Sequence, residues 1–198
     1  GKSVSGTFSF TSPDGQGYYS FYTIAKDERG KTEGVPSVND SELGYDTGKP
    51  TSQIVPLTIY WYRTSPITLN AQASYFRGLK LINLYYAVST DNTTWPDIGS
   101  YSIADTINIG GATSWSGTFT FTPPQEGYYR FYTKAQTMAG VWEDVTTHNA
   151  TAAYDATSPT SSAIAIATFW FTTGTWQVPF NYNDNLGTNT LSYVRLYY

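Results

Sequence analysis

The chain has no cysteine, so disulfides and thiolate metal sites are excluded. It has one histidine, His148, which leaves little room for imidazole-based catalysis. Only 13% of its 198 residues are charged, and the net charge is -4 with no basic cluster. That balance argues against nucleic acid and anionic membrane surfaces as partners. No apolar run approaches the roughly 20 residues of a membrane-spanning helix. No leader-type segment is recognisable at residue 1, which predicts either a processed start or a cut there. No stretch combines helical periodicity with helix caps. What the chain does have is rings: 18 Tyr, 10 Phe and 6 Trp, enough apolar area for a solid core.

The rings recur in order. Gly127-Tyr128-Tyr129-Arg130-Phe131-Tyr132-Thr133-Lys134-Ala135 repeats Gly17-Tyr18-Tyr19-Ser20-Phe21-Tyr22-Thr23-Ile24-Ala25, with seven of nine positions identical. A Ser-Gly-Thr-Phe-x-Phe-Thr run precedes both copies, at Ser5 to Thr11 and Ser116 to Thr122. Tyr45-Asp46 matches Tyr154-Asp155, and Pro50-Thr51-Ser52 matches Pro159-Thr160-Ser161. Thr58 to Trp61 matches Thr168 to Phe171, and Leu84-Tyr85-Tyr86 matches Leu196-Tyr197-Tyr198. The repeat is therefore about 110 residues, the size of one immunoglobulin-like domain.

Tyr, Phe and Thr suit a pleated, half-buried surface. Alternation along a strand predicts Tyr129, Phe131 and Thr133 inward, with Tyr128, Arg130, Tyr132 and Lys134 facing solvent. The strand resembles the tyrosine-corner strand of immunoglobulin-like sandwiches, with Tyr19 and Tyr129 as corner residues. Phe21 and Phe131 then occupy the position of the inward Cys, so ring burial replaces the disulfide. The expected fold class is all-β, as tandem immunoglobulin-like β-sandwiches.

The phase of the repeat predicts three parts. Residues 1-46 read as the C-terminal half of one domain, 47-155 as a complete domain, and 156-198 as the N-terminal half of a further one. This predicts a window on a longer tandem array. A competing expectation is that the two halves complement each other head to tail between chains. Within 47-155 the expected strands are Ser52 to Val55, Ile59 to Arg63, Ile67 to Ala73, Leu79 to Ser89, a short edge at Ser100 to Ile103, Gly117 to Thr122, Gly127 to Gln136, and a last strand at Val141 to Val145. Pro123-Pro124 and Ala139-Gly140 supply turns.

Taken together the motifs resemble the immunoglobulin-like repeats of very large prokaryotic, above all archaeal, cell-surface proteins. The matching residues are Gly6 to Phe10, Asp14 to Ala25 with Asp27, Gly30 and Glu33, Tyr45 to Thr51, and Leu84 to Asp91. The second copy matches at Gly117 to Phe121, Gly127 to Ala135, Gly140 with Glu143, and Tyr154 to Thr160. The resemblance covers nearly the whole chain but departs at Thr137, where the first copy has Asp27. It implies an extracellular, cell-surface protein. The role implied is a structural module of a filament, sheath or S-layer that self-assembles as a homo-oligomer through sheet edges and aromatic faces. An adhesin or carbohydrate-binding module is the alternative.

Chemistry-bearing residues are sparse. Asp27-Glu28, Asp97 and Glu143-Asp144 do not form a pair shared between copies, so no catalytic residues are assigned and no enzyme is expected. No metal site or cofactor is assigned; calcium at Asp46 and Asp155, or at Asn181, Asn183, Asp184 and Asn185, is the one metal weighed, against turn-forming Asn and Asp. Asn39, Asn92 and Asn149 each begin an Asn-x-Ser/Thr sequon and are expected glycosylation sites. Asn39 and Asn149 lie 110 residues apart, which suggests equivalence, both after the last strand. Trp95, Trp115, Trp142 and Tyr101 are candidate glycan-stacking residues, weighed against packing.

Overall fold

A computed structural model describes residues 3-167, 170-172, 174-186 and 192-198. Thr168 and Phe169, half of one repeat correspondence, lie outside the described residues. The described chain is all-β, with a single 3-10 turn at Ile98–Ser100. The strands are β1 (Gly17–Phe21), β2 (Ser41–Tyr45), β3 (Thr51–Ile54), β4 (Trp61–Tyr62), β5 (Ile67–Ser74), β6 (Leu79–Ser89), β7 (Ser102–Asn108), β8 (Ser114–Phe121), β9 (Gly127–Thr137), β10 (Ala150–Tyr154), β11 (Thr160–Ala163) and β12 (Phe180–Asn183).

Two sheets sandwich one core. A three-stranded sheet runs β3-β5-β8, and a five-stranded sheet runs β4-β10-β9-β6-β7. Strict alternation makes β5 the clearest half-buried strand: Ile67, Leu69, Ala71 and Ala73 are buried while Thr68, Asn70, Gln72 and Ser74 are exposed. Those residues and Phe119 and Phe121 of β8 meet Leu79, Ile82 and Leu84 of β6 and Tyr129, Phe131 and Ala135 of β9. Burial of Phe119 and Phe131 is complete, and such side chains stabilise by about 1.5–3 kcal/mol each.

Outside this core stand two antiparallel pairs, β1-β2 and β11-β12. The register of each parallels that of one strand pair of the sandwich. β1-β2 pairs Tyr19 with Leu43 as β9-β10 pairs Tyr129 with Ala152. β11-β12 pairs Ser161 with Tyr182 as β3-β5 pairs Ser52 with Ala73.

Three expectations need correction. The last strand of the sandwich is Ala150–Tyr154, not Val141 to Val145. Gly140, at φ 87°, closes a tight turn; Trp142 bridges back to Gln136, and then the chain leaves the sheet. The small residues Ala152 and Ala153 are fully buried beside β9, where rings already fill the space. Their low strand propensity makes the segment read as a linker. The edge at Ser100 to Ile103 is a full strand, β7, that lines β6 from Ser102 to Asn108. Tyr132 does not face solvent either: it is buried under Tyr101 and stacks on Tyr85 with centroids 4.7 Å apart. Its hydroxyl donates to the Ile98 carbonyl. The loop from Trp95 to Tyr101 folds over the outer face of the five-stranded sheet and forms a second small cluster.

Candidate functional site

The candidate site is the β9 strand with its turns, and the same constellation exists at β1. The Tyr129 hydroxyl donates to the Gln125 carbonyl at 2.5 Å, and the Tyr19 hydroxyl donates to the Gly15 carbonyl at 2.6 Å. Burial pushes the Tyr129 pKa up to about 12. The ring packing recurs too. Phe121 meets Tyr129 and Phe131 edge-on at 5.4 and 5.0 Å; Phe10 meets Tyr19 and Phe21 edge-on at 5.2 and 4.8 Å. What differs is coverage: Phe121 is 4% exposed and Phe10 is 50% exposed.

A carboxylate fastens the end of each hairpin. Glu143 Oε2 accepts the Ala135 N–H at 3.0 Å, and Glu33 Oε2 accepts the Ala25 N–H at 3.1 Å. The Glu143 and Glu33 N–H groups in turn donate to the Ala135 and Ala25 carbonyls. Glu143 does more. Its Oε1 accepts the Ser52 N–H at 2.7 Å and its Oε2 accepts the Ser52 hydroxyl at 2.5 Å, so it pins the first strand of the sandwich to the last hairpin. Burial raises its pKa, against the lowering effect of these hydrogen bonds.

The junctions between the pairs and the sandwich also repeat. Gln16 donates to the Thr47 hydroxyl, and Glu126 accepts the Ala156 N–H and the Thr157 hydroxyl. From the following segment, Arg77 donates to the Gln16 and Tyr45 carbonyls, and Asn185 donates to Glu126. Tyr75 donates to Asp46 at 2.6 Å and has its pKa pushed up to about 12 by burial and by that bond. Asp46 also accepts the Gly48 N–H and lies 3.7 Å from Arg77.

These polar fasteners are the residues that sequence reading missed. Glu33 and Glu143, each three residues after a turn glycine, carried the only signal and read as part of a turn. Tyr75 and Arg77 lack repeat counterparts, since Asp184 and Leu186 stand at the corresponding positions, so periodicity could not find them.

The other predicted residues are scattered. Asn39, Asn92 and Asn149 are all exposed. The equivalence of Asn39 and Asn149 is off by one. The Asn149 N–H donates to the Phe131 carbonyl, and Asp40, not Asn39, does the same at Phe21. Both asparagines precede the last strand of their pair instead of following it, because that strand is β2 or β10. Asn92 sits at φ 58° in a turn built on Asp91, whose carboxylate accepts the Thr93 and Thr94 N–H groups. Those bonds, with the Ser89 and Thr94 hydroxyls, hold Asp91 well below the usual carboxylate range.

Trp95 lies under the Arg130 guanidinium, 4.1 Å from its ring centroid, and Lys134 lies 5.7 Å from the Trp142 ring. Trp115 packs on Phe119 at the rim of the core, and Tyr101 is buried. Trp95 and Tyr101 share the small cluster over the five-stranded sheet, while Trp115 packs against the main core. His148 is partly buried, and burial, with the nearby Arg130 charge second, lowers its pKa. Asp155 is raised by burial and by the nearby carboxylates of Asp184 and Glu126. Among the described residues, no group of three His, Cys, Asp or Glu side chains is arranged to hold a metal ion. No helix among them is long and apolar enough to cross a membrane.

No family model matches the chain, and no curated protein matches it in sequence.

Proposed function

We propose that the chain is a structural module of an extracellular surface assembly, a filament, sheath or S-layer, built from repeated immunoglobulin-like domains. The observation that carries this reading is the recurrence of one bonded unit. The Tyr hydroxyl, the edge-on ring trio, the Glu fastener and the junction contacts all recur about 110 residues apart. Units fastened in series to their neighbours suit a load-bearing array, where stability is built module by module. The strand order supports the immunoglobulin-like assignment: β5 pairs with β3 and β8 in one sheet, while β6 pairs with β9 and β7 in the other. The hydroxyl bonds of Tyr19 and Tyr129 support the tyrosine-corner reading of the same strands. The exposed sequons suit a glycosylated surface protein, and exposed sheet edges suit self-assembly. Electron microscopy of the native material tests the reading. Ordered lattices or fibres support it, and dispersed particles with no higher order overturn it.

A second reading is an adhesin or carbohydrate-binding module. Tyr60, Trp61 and Tyr128 favour it, because they form a contiguous ring cluster in which Trp61 is 42% exposed. Glycan-array binding that is lost in Trp61→Ala supports this reading; no binding to any glycan ends it.

A further inference from the structure

The outer face of the five-stranded sheet carries a cation among rings. Tyr128 and Arg130 point outward from β9, and Ala153 lies beside Tyr128 in the register, with Trp61 beyond it on β4. The Trp61 and Tyr128 rings lean together over Ala153, which is fully buried, and their centroids are 5.7 Å apart. Tyr60 meets Trp61 edge-on at 5.5 Å. Tyr60 and Trp61 are 37% and 42% exposed. The half-buried Arg130 stacks on Trp95, and Trp95 is held in turn by its indole N–H, which donates to the Asn92 carbonyl at 3.2 Å. Among the described residues no carboxylate lies within ion-pair distance of Arg130; the ion pairs there join Lys49 to Asp144 and Arg77 to Asp46. We propose that this face binds a carboxylated saccharide, with a sugar ring on Trp61 and Tyr128 and its carboxylate on Arg130. The proposal rests on the carbohydrate-binding reading above and names the class of sugar.

Stacking on Trp95 occupies only the face of the guanidinium. Its five N–H donors lie in the plane and stay available as a fork, which fits a planar carboxylate through two parallel hydrogen bonds. Arg130 follows Tyr128 by two residues on the same face of the strand, about 7 Å away. Half a sugar ring, its exocyclic carboxylate and one hydrogen bond of about 2.8 Å span that distance. The rings of Trp61 and Tyr128 offer apolar surface to the C–H side of the sugar. Charge argues in the same direction. The chain carries a net charge of -4, so its overall field does not gather anions, and an acidic ligand must be held by a local cation. Burial raises the Tyr60 pKa and Tyr128 adds to it, while Arg130 opposes them. Burial lowers the His148 pKa and Arg130 adds to that, so the imidazole stays neutral at pH 7 and Arg130 carries the positive charge. No carboxylate acts on either group.

A glycan array probed with the full chain at pH 7 tests this. It presents uronate- and sialate-bearing oligosaccharides, their methyl esters, sulfated glycans and neutral glycans. The carboxylated glycans should be retained. Esterification removes the charge and leaves the sugar ring, and should weaken retention about tenfold or more. Arg130→Gln should lose the same factor on the acids and leave the esters unchanged, while Trp61→Ala should lose both. Because esterification alters only the ligand, the comparison of acid with ester decides even where a variant fails to fold. Equal retention of acids and esters, or selectivity for sulfated or neutral glycans, overturns the carboxylate site and leaves the carbohydrate-binding reading standing. So does acid selectivity that survives Arg130→Gln. No retention of any glycan overturns both.

Discussion

Replacing Glu143 by Ala tests whether the polar fastener, and not ring burial alone, holds the sandwich closed. The change removes the acceptor of three hydrogen bonds, two from Ser52 and one from the Ala135 N–H. Each bond to a carboxylate is worth about 1.5–3 kcal/mol, and an orphaned buried N–H costs about 1–3 kcal/mol. Against this stands the burial of the carboxylate itself, which raises its pKa and is relieved by the substitution. The Ser52 hydroxyl can also turn to water. The balance is a loss of about 2–4 kcal/mol, large beside a typical domain stability of about 5–15 kcal/mol. For a unit of this size each kcal/mol moves Tm by about 4–8 °C. Thermal unfolding of the 198-residue chain by calorimetry should therefore show the main transition about 10 °C lower or more. Glu33→Ala is the internal control. It removes one bond on an exposed hairpin, so its effect should stay below about 0.5 kcal/mol. Equal shifts for the two variants, or a shift of less than about 3 °C for Glu143→Ala, would refute the reasoning.

Tyr129→Phe deletes the hydroxyl that bonds Gln125 and should cost about 1–2 kcal/mol in urea titration, while Tyr19→Phe should cost nothing measurable. Phe131→Ala should lose about 3–5 kcal/mol and Phe21→Ala under about 1 kcal/mol, because only the first ring is fully buried. Glu143→Gln tests pH dependence. The folded pKa of Glu143 is raised, so the folded state holds the proton more tightly, and wild-type stability falls relative to the Gln variant as pH rises through the carboxylate range. Urea midpoints at pH 3 and pH 7 read this, and the opposite slope rejects it. Gly127→Ala places a Cβ 2.8 Å from the Ser89 carbonyl oxygen at a φ of 152°, and should cost about 1–3 kcal/mol or prevent folding.

Periodicity made much of this legible without coordinates. Alternation in Ile67 to Ser74 marks a half-buried strand because side chains of a strand must alternate faces. The repeated Tyr-x-Phe pair finds the core because rings carry the largest apolar area. Segments that depart from those signals misled. Ala150 to Tyr154 looks like a linker, yet it is a core strand because small side chains fit where rings crowd. Tyr132 alternates outward, yet it is buried by a loop whose path no local pattern encodes.

By itself, the sequence determined the all-β class and the inward placing of Tyr129 and Phe131, since these follow from local alternation. The tertiary structure alone decided which strand closes the sheet, which residue of each sequon aligns, and that Glu143 joins Ser52 across 91 positions of sequence. Long-range hydrogen bonds leave no periodic trace, because each depends on where two distant backbones happen to meet.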